Sequence, residues 1–151
     1  MSVGQLLDKR GNAVDTVAES NLRVNNGAAG AVTTSAAGVP VANAADKTEV
    51  AKAIAAVKGA DVTVLVLGIA HSQEHEGMDR HDTLLPPVQS AFATQVLAAA
   101  AGKPVVLVTV SGGILSIDEL VSPAAAIVNA FNPTGVGATA VADLLFGKDN
   151  S

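Results

Sequence analysis

Three apolar runs constrain this chain more than any other feature: VTVLVLG at 62–68, VVLVTV at 105–110 and AAIVNAF at 125–131. Each is short, rich in β-branched residues and nearly free of polar interruption, the pattern of a strand covered on both faces in a parallel sheet. Helical patterns lie before, between and after them. DKTEVAKAIAAVKG opens with Asp46 and has Glu49 three residues on, a capping-box spacing; Val50, Ile54 and Val57 then share one face and Gly59 follows as a stop. A second helix is expected over about 88–101 with Val88, Phe92, Val96 and Ala99 inward. A short helical piece is expected near Ile117–Val121, and a last helix over about 136–146, stopped by Gly147. This alternation implies right-handed βαβ crossovers, so residues 46–151 are expected to form a three-layer α/β/α sandwich around a mostly parallel sheet.

Residues 1–45 are poorly patterned by comparison. NNGAAGAVTTSAAGVPVANAA is rich in Gly, Ala, Asn and Ser, with β-prone fragments only near 13–17, 31–35 and 39–42, which suits edge strands or loops. At 151 residues the whole is expected to be a single domain. A net charge of −5 and sparse Lys and Arg argue against a nucleic-acid partner, whose phosphates need a basic face. No apolar run approaches the length of a membrane-spanning helix, and MSVGQLLDKRGN lacks the basic-then-apolar order of a secretory signal. The absence of cysteine excludes disulfides and thiolate metal sites.

In open α/β sheets, ligands sit outside the carboxyl ends of the strands. Three loops leave those ends here: a segment of some nineteen residues after the first run, Ser111-Gly112-Gly113 after the second, and Asn132-Pro133-Thr134-Gly135 after the third. Connections in α/β units usually run about two to six residues, so the first loop is an outlier of the kind that carries function. Within it, HSQEHEGMDRHD (71–82) holds all three histidines, His71, His75 and His81, beside Glu74, Glu76, Asp79, Arg80 and Asp82. The residues alone leave three readings open. The first is a solvated loop, with Asp79 and Arg80 in turn or ion-pair roles. The second is a divalent-metal site built from His71, His75, His81, Glu74 and Glu76. Its spacing matches no metallohydrolase motif, and aligning His71 with His75 needs a two-turn helix that the preceding strand and Gly77 disfavour. The third is general acid/base chemistry by a carboxyl group, as in glycoside hydrolysis, where two carboxyl groups flank the scissile bond and one must carry a proton. GVGATA (135–140) has the look of a dinucleotide fingerprint, but no further strand with an acidic end follows; close helix–sheet packing explains its small residues better.

Motif order narrows the choice. ADVTVLVLG is followed by E-x-E-G-x-D-R (Glu74, Glu76, Gly77, Asp79, Arg80) and by L-x-P-x-x-Q ending at Gln89. GKPVVLVTVSGG, the AI-x-x-AF-x-P segment ending at Pro133, and A-x-AD-x-LFG at 140–147 come next. In this order and spacing the chain resembles the C-terminal domain of glycoside hydrolase family 3, nearest its β-xylosidase and β-glucosidase branch, from about residue 46 onward. The resemblance implies an α/β sandwich that lends an acid/base Glu to a (β/α)8 barrel domain carrying the nucleophilic Asp, acting on β-linked oligosaccharides or glycosides without a cofactor. By motif position Glu74 matches the acid/base, with Glu76 as alternate. Asp79, Arg80, His71, His75 and Ser111 are then substrate-binding or loop-shaping. Secretion is the localisation this family implies.

The chain also departs from the pattern. Pro133-Thr134 stands where Pro-Gly is usual, an extra proline follows Leu85, and the histidines around Glu74 are not part of the motif. No barrel is present, and the sequence ends at Asn150-Ser151 where family members continue. The expectation is therefore a half-site, inactive alone. A non-catalytic glycan-binding or assembly module is the alternative, and a surface that meets a barrel is also a candidate for self-association. With no Trp, no Tyr and three Phe, the composition leaves little aromatic surface for stacking sugar rings.

Overall fold

The computed structural model describes residues 5–7, 13–17, 21–22 and 47–149, with side chains described from residue 50 onward. Near the N-terminus, β1 (Gln5–Leu7), β2 (Ala13–Val17) and β3 (Asn21–Leu22) form an antiparallel sheet in the order β1-β2-β3. The β-prone fragment 13–17 coincides with β2; those at 31–35 and 39–42, and the capping box of Asp46 and Glu49, lie outside the described backbone or side chains.

The remainder alternates as the apolar runs demand: α1 (Lys47–Gly59), β4 (Thr63–Gly68), α2 (Pro87–Ala100), β5 (Val105–Val110), α3 (Asp118–Val121), β6 (Ala126–Asn129) and α4 (Thr134–Leu145). β4, β5 and β6 pair in that order, all parallel, with Leu65 opposite Leu107 and Leu107 opposite Ile127. Partners in register share a face, so Leu65, Leu67, Val105 and Leu107 project into one layer. There they bury against Ala53 and Val57 of α1, Phe92, Ala93, Val96 and Ala100 of α2, and Leu120 of α3. On the opposite face Val108 is buried, and Val64, Val66 and Val106 are partly so. In α4, Ala138 and Ala142 are buried, small residues that allow close packing. The result is a parallel sheet flanked by helices. Among the described residues, no helix is long and apolar enough to cross a membrane.

Local chemistry sets the ends of these elements. Pro87 opens α2, where its missing N–H is no loss. Ala101 (φ +53°) and Gly102 (φ +84°) close it in the left-handed region. Lys103 Nζ donates to the carbonyls of Lys58 (3.2 Å) and Ala60 (2.8 Å), satisfying the C-terminal end of α1. Helix α4 starts at Thr134, two residues earlier than its periodicity suggests, and Thr134 itself has φ +50°.

The inward stripe of α2 is rotated from the expected one. Val88 and Ala99 are only partly buried, whereas Gln89, Ala93 and Ala100 join Phe92 and Val96 in the interior. The cause is polar. Gln89 donates from Nε2 to the Gly68 carbonyl (2.7 Å) and accepts at Oε1 from the Gly68 N–H (2.8 Å), satisfying both backbone groups at the carboxyl end of β4. Gly68 is required there, because a Cβ would lie 1.8 Å from the Val110 carbonyl oxygen of the neighbouring strand. This clamp fixes where the long loop departs.

Candidate active site

The loop between β4 and α2 folds back over the strand ends through a series of turns. Gln73 N–H and Glu74 N–H both donate to the Ala70 carbonyl (2.9 and 3.3 Å), and Gln73 Oε1 accepts from Ala70 N–H (3.2 Å). His75 and Met78 then exchange two backbone hydrogen bonds (3.0 and 2.9 Å), with Gly77 at φ +82° supplying the left-handed position of the turn. That turn sends the chain back, so Arg80 meets Glu74. Arg80 Nε donates to Glu74 Oε2 at 2.6 Å, with the Arg80 side chain only 12% exposed and that of Glu74 26% exposed.

The remaining guanidinium nitrogens reach two other segments. Nη2 donates to the Ile114 carbonyl at 2.8 Å, and Nη1 lies 3.4 Å from the Leu84 carbonyl. Asp82 Oδ1 accepts from Leu84 N–H (2.9 Å), and Thr83 and Ser116 join through their hydroxyls (2.6 Å) and through Ser116 N–H to the Thr83 carbonyl (2.8 Å). The β4 and β5 loops are thus sewn together beside the carboxyl group.

Two glycines make room for it. A Cβ on Gly113 would stand 2.9 Å from Glu74 Oε1, and one on Gly112 would stand 3.5 Å from the same oxygen and 3.2 Å from Asn132 Nδ2. Ser111 is buried, and its Oγ donates to the Gly113 carbonyl (2.7 Å) while its N–H donates to the Phe131 carbonyl (3.1 Å). All three strand-end loops therefore meet around one carboxyl group.

Among the expected site residues, the fold gathers Glu74, Arg80 and Ser111. Glu76 and Asp79 are exposed and take no part in the Glu74–Arg80 pair. His71 and His75 sit side by side without the helix that their spacing seemed to need: a turn brings their ring centroids to 4.8 Å, with His75 Nδ1 2.9 Å from the His71 carbonyl. His81 is exposed. Among the described residues, no three His, Asp or Glu side chains converge to hold a metal ion. Sequence reasoning did not single out the clamp of Gln89, the Ile114 carbonyl or the Asn132 amide. Gln89 was visible only as a motif position, and Asn132 only as a turn residue. Phe92 is core, but Phe131 is 60% exposed at the carboxyl edge.

The glycosyl hydrolase family 3 C-terminal domain matches the chain over residues 4–151, reaching across the N-terminal segment that the quoted motifs do not cover. The chain belongs to that family. Beta-D-xylosidase 1 of Arabidopsis thaliana is 41% identical to this family 3 domain over 98 residues, covering 64% of the chain and 12% of the relative. The periplasmic beta-glucosidase of Salmonella typhimurium is 35% identical over 99 residues, covering 66% of the chain and 13% of the relative. Among solved structures, a family 3 exo-beta-xylosidase in complex with a xylobiose aziridine activity-based probe superposes with a TM-score of 0.68 at 27% identity, over 75% of this chain and 15% of that one. The family 3 domain thus spans a small fraction of the length of the relatives it matches.

Proposed function

We propose that this domain supplies the general acid/base carboxyl of a β-glycosidase, and that Glu74 is that group. The supporting observation is the Glu74 carboxyl itself: partly exposed, held at Oε2 by Arg80, and seated where the three carboxyl-end loops meet. With Oε2 engaged, Oε1 is the oxygen left to handle the proton. It gives the proton to the glycosidic oxygen as a nucleophilic carboxylate attacks the anomeric carbon from the other side. It then takes a proton from the water that releases the sugar. Retaining chemistry places the two carboxyl groups about 5–5.5 Å apart. The nucleophile comes from outside these 151 residues, on a (β/α)8 barrel domain. Exposed Leu84 and Ile114, whose carbonyls Arg80 holds, give such a domain an apolar surface to pack on.

The purified chain, tested alone on aryl β-xylosides and β-glucosides, is expected to show no turnover. Joined to a barrel domain it is expected to hydrolyse them, with Glu74→Gln slowing 4-nitrophenyl substrates by roughly 10²–10⁴-fold, the usual worth of a general acid. Dinitrophenyl substrates, whose leaving group needs little protonation, are expected to lose far less in the first step. An unchanged rate in Glu74→Gln, or the same pattern in Glu76→Gln, would overturn the assignment.

A further inference from the structure

His71 and His75 stand outside the Glu74–Arg80 pair, yet a turn sets them together with the spacing of a chelate. Their ring centroids are 4.8 Å apart and their planes are tilted by 44°. An imidazole nitrogen lies about 2.0–2.1 Å from an ion such as Zn²⁺, and the ring centre about 1.1 Å behind it, so each centroid sits about 3.2 Å from the metal. Two imidazoles on one ion then have centroids about 4.5 Å apart in right-angled coordination and about 5.2 Å apart in tetrahedral coordination. The separation of His71 and His75 falls between these two values. The tilt agrees with it. Rings stacked in parallel planes cannot both aim an in-plane lone pair at one ion, whereas planes 44° apart intersect.

The ring nitrogens are disposed for the same task. His75 Nδ1 lies 2.9 Å from the His71 carbonyl oxygen; a carbonyl only accepts, so Nδ1 carries the proton and the lone pair is left on Nε2. A backbone carbonyl in that place is a usual partner of metal-bound imidazole, fixing its tautomer and orientation. Both histidines are exposed, so an ion and the waters that complete its shell reach them from solvent. The surrounding charge is favourable. Arg80 is taken by Glu74, while Glu76, Asp79 and Asp82 are exposed and in no ion pair among the described residues. We propose that His71 and His75 form a two-imidazole site for a late first-row divalent cation, and that the bound ion braces the turn carrying Glu74. The two histidines bracket Glu74 in the chain, and the turn between them is held by the Ala70 carbonyl, which accepts from Gln73 N–H and Glu74 N–H. An ion tied to both ends of that turn resists its opening. Imidazole donors favour Cu²⁺, Ni²⁺ and Zn²⁺, and leave Mg²⁺ to oxygen ligands. The site stands whether or not Glu74 is the acid/base.

The test is a calorimetric titration of the purified chain with nickel, zinc and magnesium chlorides, beside His71→Gln, His75→Gln and His81→Gln. Saturable one-to-one binding of Ni²⁺ and Zn²⁺ is expected, at least tenfold weaker in His71→Gln and in His75→Gln. His81→Gln, in the same loop but outside the pair, is expected to stay within twofold of wild type. No saturable binding, or equal losses in all three variants, would overturn the site. Mg²⁺ binding as tight as Ni²⁺ would do so too, because carboxylates and not imidazoles would then hold the ion. Both side chains are exposed, so the metal-free denaturation midpoints are expected to match wild type, and saturating Zn²⁺ is expected to raise the midpoint of wild type but of neither pair variant. Hydrogen exchange at the Gln73 and Glu74 amides is expected to slow at least threefold when wild type is saturated with Zn²⁺. Unchanged exchange with binding intact would refute the bracing of the turn.

Discussion

Replacing Arg80 by Met keeps the apolar stem and removes the guanidinium, so the change isolates what ties the loops together. Two of the three hydrogen bonds lost are short, to Glu74 Oε2 at 2.6 Å and to the Ile114 carbonyl at 2.8 Å; the third, to Leu84 at 3.4 Å, contributes little. Charge-assisted bonds are worth roughly 1.5–3 kcal/mol each, which sets an upper bound of about 6 kcal/mol for the two. Water discounts this sum. Glu74 is 26% exposed and recovers part of its hydration when its partner leaves, so the expected net loss is about 2 kcal/mol. For a chain of this size that is roughly 6 °C in Tm. Urea denaturation of wild type and Arg80→Met is the assay, with the slope unchanged so that the midpoint shift reports stability alone. Combining Arg80→Met with Glu74→Gln is expected to give a coupling energy of about 1 kcal/mol. A loss under about 0.5 kcal/mol, or additive effects in the double variant, would mean that backbone turns alone hold the loop and that the guanidinium does not position the carboxyl.

Other consequences are equally specific. Gly68→Ala places a Cβ 1.8 Å from the Val110 oxygen, and should cost about 3 kcal/mol or more in urea unfolding as β4 and β5 part at their carboxyl ends. Gln89→Leu leaves the Gly68 N–H and C=O without their side-chain partner, at an expected cost of about 2–4 kcal/mol, and hydrogen exchange at Gly68 should accelerate with it. Thr134→Gly relieves a β-branched residue at φ +50°, restores the residue the family pattern has there, and should stabilise by about 1 kcal/mol; a loss of stability would show that the Thr134 side chain contributes more than its strain takes away.

The layered α/β architecture was legible because its signals are local and redundant. β4 and β5 are continuous apolar runs, and α1 and α2, which flank β4, carry apolar residues at a helical period. What escaped was polar and long-range. Gln89 reads as a polar residue beside an apolar stripe, and only the approach of Gly68 to Val110 explains why it turns inward and rotates α2 by one position. Glu74 and Arg80 are six positions apart in a segment with no periodicity, so spacing alone cannot pair them; the turn at Gly77 does. The same holds for His71 and His75, brought together by a turn where only a helix had been considered. Phe131 sits at the end of an apolar run and reads as the last residue of a strand. Its left-handed backbone is held by hydrogen bonds to Asn129 and Ser111, the latter just past the end of β5 and so outside any short window.

The bond between Gln89 and Gly68 also separates two kinds of change that a sequence can undergo. It closes the long loop at its base, joining positions 21 apart, so the exposed turn between them can change length without opening that base. For a loop already closed, doubling its length adds only about 0.6 kcal/mol of chain entropy. Insertions in the exposed turn over 75–79 therefore leave the sheet untouched, whereas Ala70 and Leu85 are held by burial and Glu74 by its pairing with Arg80. The scaffold and the chemistry can drift at different rates, with a single glutamine as the border between them.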